Sequence, residues 1–176
     1  EKAVAGTDYI TKDAKIDVVV PAIPAELKFD AVQDGNVVTV KAILDKIPDV
    51  LTDLASIHVE YEFDNSVLTY VGTEVAQEFN GANVNTGRFV WNGNVTALPA
   101  DGVLFTVTFN VAAGTEATTE IKLGYTELMD SAYETAKLGT DYVTKDAKVD
   151  IEGEEPVTPA TLKFDAVNDG VVVTVK

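Results

Sequence analysis

Hydrophobic and polar residues alternate along several stretches of this chain, which is the pattern of β-strands that turn one face to a core. Residues 103–111 alternate over nine positions. Strict alternation in a second segment puts on one face Ile57, Val59, Tyr61 and Phe63. Similar but shorter patterns predict strands at 27–32, 36–44, 67–72, 87–92, 119–124 and 142–151. About eight or nine such strands predict an all-β fold, a two-sheet jelly-roll sandwich.

Two segments of the chain occur twice. Residues 6–18 and 139–151 are identical at ten of 13 positions, and the other three are exchanges between Ile and Val. Residues 27–41 and 162–176 are identical at 13 of 15 positions. The offsets of 133 and 135 residues are too long for a solenoid repeat. They predict whole domains arranged in tandem.

The repeats predict five regions in a piece of a longer tandem-repeat protein. They are the last strand of a preceding repeat (1–18), a Pro-containing linker (19–26), a complete sandwich (27–151), a second linker (152–161) and the first strands of the next repeat (162–176). Unpaired strands invite pairing with another chain. We therefore expect that residues 7–18 could take the place of 140–151 in another copy.

Composition narrows the function further. The 176 residues include 46% hydrophobic residues, enough for a core without disulfides. The formal net charge of −16 makes nucleic acids and anionic membrane surfaces poor partners. No apolar stretch approaches the roughly 18 residues of a membrane helix, so no membrane insertion is predicted. The absence of cysteine and the single histidine exclude thiolate zinc sites, cysteine nucleophiles and multi-histidine metal sites.

Three segments carry a resemblance to a known family. The segment IHVEYEFDNSVLTYV at 57–71 resembles the third and fourth strands of bacterial cohesin modules, where an aromatic residue precedes Asp-Pro-Ser-Val-Leu; here Asn65 replaces the usual Pro. The segments GNVVTV at 35–40, with KIP following at 46–48, and DGVLFTVTFNV at 101–111 are similar to other cohesin strands. The three segments occur in the same order here as in cohesins, and the resemblance covers most of the predicted sandwich.

The resemblance implies a non-catalytic protein-binding module, and not an enzyme, in an extracellular or cell-surface scaffold. Cohesins bind calcium-loaded dockerins through the outer face of one sheet. That sheet is expected to contain the strands at 57–63, about 87–92 and 102–111. Its implied partner-binding residues are His58, Glu60, Glu62, Leu104, Thr106 and Thr108.

Other candidate chemistry is sparse. His58 is either a partner-contact residue or pH sensor, or simply an exposed strand residue. Oxygen ligands suited to calcium occur near turns at Asp30, Asp34, Asp64, Asn65 and Asp130. These lack the spacing of a calcium loop, so ordinary turn chemistry is favoured and no cofactor or metal is predicted. Asn94-Val95-Thr96 is a glycosylation sequon.

Two alternative functions stay open at this point. The unit could be a structural repeat of a surface stalk or filament, which assembles end to end with neighbouring copies of itself and exchanges strands with them. It could also bind carbohydrate if Trp91 and Phe89 were exposed, although their alternation with Arg88, Val90 and Asn92 favours a place in the core.

Overall fold

The computed structural model describes residues 23–112 and 114–153, and the backbone of 166–168 and 173–175. The strands are β1 (Ala25–Asp34), β2 (Val37–Leu44), β3 (Leu54–Glu62), β4 (Leu68–Val75), β5 (Asn83–Asn85), β6 (Arg88–Val95), β7 (Val103–Val111), β8 (Ala117–Met129), β9 (Tyr142–Lys145), β10 (Ala147–Ile151), β11 (Ala166–Asn168) and β12 (Val173–Val175). A 3₁₀ turn, Gln77–Phe79, follows β4.

Two five-stranded sheets face each other. The first sheet has the order β4-β7-β2-β1-β9, and the second has the order β10-β8-β3-β6-β5. Among the described strands, β1 and β9 pair in parallel and the other neighbours are antiparallel. The predicted all-β, two-sheet sandwich is confirmed.

Aromatic rings from both sheets meet at the centre of the core. The Phe105 ring of β7 stacks on that of Phe89 in β6, with centroids 4.4 Å apart. It also lies 6.2 Å from the ring of Tyr61 and 6.3 Å from that of Phe29. All four side chains are buried. Because the cluster draws on both sheets, burying its apolar area holds the two layers together.

Trp91 belongs to the same core. Its side chain is 4% exposed, and its ring is perpendicular to that of Phe79, with centroids 5.1 Å apart. The hypothesis of carbohydrate binding through an exposed Trp91 is therefore wrong. Gly93 lies two residues further along β6, in a segment where β6 has one residue more than β3 between Ser56 and Leu54. The sequence Asn92-Gly93-Asn94 has turn composition, but here it forms a bulge inside a strand.

The predicted strand at 142–151 is two strands in two different sheets. We call residues 142–151 the closing segment. Its first half, β9, is an edge of the first sheet beside β1, and its second half, β10, is an edge of the second sheet beside β8. Asp146 is the one residue between them. The closing segment thus seals one open side of the sandwich.

The hairpin β11–β12 repeats the register of β1–β2. Ala166 lies opposite Val175 and Asn168 opposite Val173, as Ala31 lies opposite Val40 and Gln33 opposite Val38. Strand β1 begins at Ala25, inside the predicted linker 19–26, because Ala25 pairs with Tyr142. Regions 1–18 and 154–161 lie outside the described residues, and the division into repeats stays a prediction.

Candidate functional site

The outer face of β3 carries three of the predicted contact residues. Ile57, Val59 and Tyr61 are buried in the core. Because side chains alternate along a strand, His58, Glu60 and Glu62 turn to the other side of the second sheet. Strand β3 is the middle strand of that sheet, between β8 and β6. These three side chains therefore lie on the middle strand of the sheet, with Glu62 at the end of that strand.

The neighbouring strands add charged and polar side chains to this face. On β6, Arg88 lies opposite Glu60 and Val90 lies opposite His58. On β8, Glu127 lies opposite His58 and Lys122 lies opposite Glu62. The register thus surrounds the central residues with both signs of charge, and direct cross-strand neighbours are close enough to interact.

The His58 side chain lies between an acidic and a basic side chain. Its Nε2 lies 3.1 Å from Glu60 Oε1, and Arg88 Nε lies 3.3 Å from the same Nε2. A single imidazole nitrogen either donates or accepts. With a proton on Nε2 it donates to Glu60; without one it accepts from the guanidinium. The Arg88 Nε–Glu60 Oε1 distance is 4.0 Å, so these groups form one small exposed network.

A bulge brings an aromatic ring onto this face. Between the positions opposite Tyr61 and Val59, β8 has one residue more than β3, and Tyr125 lies in this bulge. The ring is 48% exposed and meets the His58 ring edge-on at 4.9 Å. Its hydroxyl donates to Glu127 Oε2 at 2.8 Å, and this hydrogen bond raises the pKa of Tyr125 above its usual value. An exposed, oriented tyrosine is a typical contact residue of protein interfaces.

We call this surface the β3 face and define it by His58, Glu60, Glu62, Arg88, Tyr125 and Glu127. The last three were missed in the sequence. The exposure of Arg88 could have been predicted from the sequence, because Arg88 precedes the alternating Phe89 and Trp91. The positions of Tyr125 and Glu127 could not have been predicted in this way, because the bulge in β8 interrupts the alternation of side chains.

The other three predicted contact residues do not belong to this face. Strand β7 is part of the first sheet, so the prediction that it shares a sheet with β3 and β6 is wrong. Thr106 and Thr108 therefore lie on the opposite side of the molecule. Leu104 is 0% exposed. Val103 and Phe105 lie opposite Ile43 and Ala42, so Leu104 is the extra residue of a bulge. A bulge interrupts the alternation of side chains along the strand, and the outward direction predicted for Leu104 does not apply.

Two buried carboxylates join the loop before β3 to the loop after β8. Asp53 accepts hydrogen bonds from Ser131 N (2.8 Å), Ser131 Oγ (2.7 Å) and Asn94 Nδ2 (3.0 Å). Asp130 accepts from Ala132 N and Glu134 N at 2.9 Å, and from Thr52 N at 3.3 Å. The hydrogen bonds from Ser131 lower the pKa of Asp53 below its usual value. The pKa of Asp130 is also lowered, mainly by the hydrogen bond from the Glu134 amide.

We expect these two carboxylates to make the protein acid-labile. Since their folded-state pKa values lie below the unfolded ones, their contribution is present above the usual Asp pKa of about 4. It is lost as pH falls through the lowered values. Urea unfolding at pH 7 and pH 3 should show a smaller pH difference for Asp130→Asn than for the wild type. The exposed Asp34→Asn variant is the control, and an equal pH difference in all three proteins would contradict the prediction.

The calcium candidates do not converge. Within residues 23–112 and 114–153, no group of three or more His, Asp or Glu side chains is placed to hold a metal ion. The carboxylate of Asp64 instead accepts bonds from Ser66 N and Ser66 Oγ in its own turn. Asn94 is exposed on β6, and the nitrogen that a glycan would modify donates to Asp53. Glycosylation at Asn94 stays a prediction.

Comparison with solved structures identifies the fold. The sixth cohesin of Acetivibrio cellulolyticus scaffoldin B, solved with a Cel5 dockerin mutant, matches with a TM-score of 0.55 at 19% identity, over 74% of this chain and 100% of that one. The Coh-OlpA cohesin of Clostridium thermocellum, solved with Doc918, gives a TM-score of 0.59 at 16% identity, over 74% and 100%. The sandwich has the cohesin fold.

A third cohesin broadens the comparison. A non-cellulosomal cohesin from the archaeon Archaeoglobus fulgidus matches at 16% identity and a TM-score of 0.56, over 76% of this chain and 94% of that one. No protein-family model and no curated protein matches the chain. In this instance of the cohesin fold, the described residues contain no helix with the length and apolarity of a membrane span.

Proposed function

We propose that this chain is a non-catalytic protein-binding module that binds a dockerin-type partner through the β3 face. The observation that carries the proposal is a solvent-exposed face at the centre of a cohesin-fold sheet, with an aromatic ring and a charge network on it. Three of the solved structures with this fold are cohesins in complex with dockerins. The proposal extends to a tandem-repeat scaffold at the cell surface or outside the cell.

The chemistry of the β3 face suits a helix with basic and hydroxyl side chains. Glu60, Glu62 and Glu127 supply acceptors, and Tyr125 supplies apolar area with a hydrogen-bonding tip. Arg88 adds a basic group beside His58, and Lys122 adds another beside Glu62. Because the chain carries a net charge of −16, a basic partner is also drawn toward it over a longer range.

Charge reversal tests this surface. We expect Glu60→Lys/Glu62→Lys to raise the dissociation constant for a calcium-loaded type I dockerin about tenfold, because acceptors for basic groups become repulsive. Titration calorimetry gives the constant. A matched control, Asp30→Lys/Glu74→Lys, reverses two exposed acids on the first sheet. Equal weakening by both variants would remove the β3 face from the proposal, and no binding by wild-type protein would remove the partner class.

A second candidate function is a structural repeat that assembles end to end with copies of itself. It is supported by the register of β11–β12, which reproduces that of β1–β2 at an offset of 135 residues. Light scattering of the full chain separates the two candidates. A mass that rises with concentration favours assembly, whereas a monomer at all concentrations favours the binding module alone.

A further inference from the structure

The closing segment occupies a site formed by β1 and β8, which we call the closing-segment site. It makes both apolar and polar contacts there. Its buried side chains are Tyr142, Ala147, Val149 and Ile151. Tyr142 Oη donates to Thr126 O at 2.9 Å. Asp146 Oδ1 accepts from Leu123 N at 2.8 Å, and Asp150 Oδ1 accepts from Thr118 Oγ1 at 2.7 Å. The site therefore selects a sequence, because an aromatic hydroxyl, two carboxylates and small apolar residues must occur at fixed spacing.

The same chain contains this sequence a second time. At an offset of 133 residues, the counterparts of the contacting residues are Tyr9, Asp13, Ala14, Ile16, Asp17 and Val18. The polar residues and the alanine are identical. Two of these residues are exchanged, Ile16 for Val149 and Val18 for Ile151, and these two exchanges balance in volume. The third exchange in the segment is Ile10 for Val143. Residues 6–18 thus carry an identical or closely similar side chain at each of these six positions.

Residues 6–18 cannot occupy that site in their own chain. The end of the closing segment lies at the far end of β1, where Glu152 N donates to Gln33 Oε1 at 3.0 Å. Ala25 and Gln33 are eight residues apart, about 26 Å along a strand. Val19, the counterpart of Glu152, is joined to Ala25 by six peptide units, which reach at most about 22 Å. The connection is too short, even before it reverses direction twice.

We propose that residues 6–18 of one chain bind in the closing-segment site of a second copy and replace residues 139–151 there. The inference is independent of the dockerin proposal. It deepens the second candidate by naming the site through which copies join. Because the two segments carry nearly the same side chains, we expect exchange to change the interaction energy little. The resident segment has the advantage of a high effective concentration, so exchange grows as copies become crowded.

Weakening the resident segment tests the exchange in the full chain. We expect Val149→Asp, which puts a charge into the core, to give concentration-dependent oligomers in light scattering. Ile16→Asp alone should remain monomeric with an unchanged urea midpoint. The double variant Ile16→Asp/Val149→Asp should lose both the oligomers and the stability that rises with concentration. If Val149→Asp behaves like the double variant at every concentration, the proposal is overturned.

A disulfide trap tests the register directly, since the chain has no cysteine. Lys148 lies opposite Glu120, and its counterpart is Lys15. Lys15→Cys/Glu120→Cys should give disulfide-linked dimers on oxidation, several-fold more than Thr11→Cys/Glu120→Cys, whose first cysteine belongs beside the other sheet. Oligomers without this in-register disulfide would overturn the site and leave end-to-end assembly standing. Monomers in all the variants would overturn both.

Discussion

Replacing Phe105 with alanine is expected to lower the free energy of unfolding by about 4 kcal/mol. The Phe105 ring contacts Phe89, Tyr61 and Phe29, so one truncation removes contacts within and between the two sheets. Phe105 is fully buried between the two sheets, so its truncation leaves a cavity in the core. The loss therefore combines the transfer term of a phenyl ring with the cost of a cavity.

Urea titration followed by the fluorescence of Trp91 measures this loss. Trp91 is the single tryptophan and is buried, so its emission reports on the core. Tyr133→Ala is a matched control, because its aromatic ring is 82% exposed. The control should change the free energy of unfolding by less than about 0.5 kcal/mol. A loss below about 1 kcal/mol for Phe105→Ala would mean that the ring cluster does not join the sheets.

Substitution of Gly93 by alanine is expected to cost about 2 kcal/mol. A Cβ atom on Gly93 would overlap the indole of Trp91. The indole cannot move away easily, because it is buried and packs against Phe79. Gly93 itself is exposed to solvent, but its Cβ atom would point toward the buried ring of Trp91.

A double-mutant cycle identifies the cause. Trp91→Phe removes the outer ring of the indole, so Gly93→Ala should cost much less in that background than in the wild type. We expect an interaction energy of about 1 kcal/mol or more from urea unfolding of the four proteins. Gly72→Ala, where a Cβ atom meets nothing within 4 Å, is a control for glycine replacement in a strand. Simple additivity would show that the penalty has another origin.

The strands that the sequence predicted best are those with one buried face. Residues 57–63 and 103–111 correspond closely to β3 and β7. Alternation is a local property, and it survives because one face of each strand meets the core. The short edge strand β5 was missed, because three residues give too little pattern to recognise.

Pairing partners and bulges could not be predicted in this way. The sheet that β7 joins is decided by contacts with β2 and β4, distant in sequence. Each bulge adds one residue to a strand and reverses the expected direction of a side chain. Leu104 is buried for this reason, and Tyr125 becomes an unforeseen contact residue of the β3 face.

The candidate site was half predictable. Alternation alone puts His58, Glu60 and Glu62 on one face. Their neighbours Arg88 and Glu127 come from the register with β6 and β8, which depends on the whole sheet. The hydrogen bonds between Asp53 and Ser131 were equally hidden, because they join residues 78 positions apart.

The parallel pairing of β1 and β9 has a mechanical consequence. Ala25 starts β1 beside Tyr142, whereas Glu152 leaves β10 beside Gln33, at the far end of β1. A pull applied at Pro24 and Gly153 would therefore draw β1 and the closing segment in opposite directions along their length. Their hydrogen bonds would bear this shear together and would not open one at a time. The sandwich should therefore resist tension applied at these two points, because the paired strands must slide past each other before the fold opens.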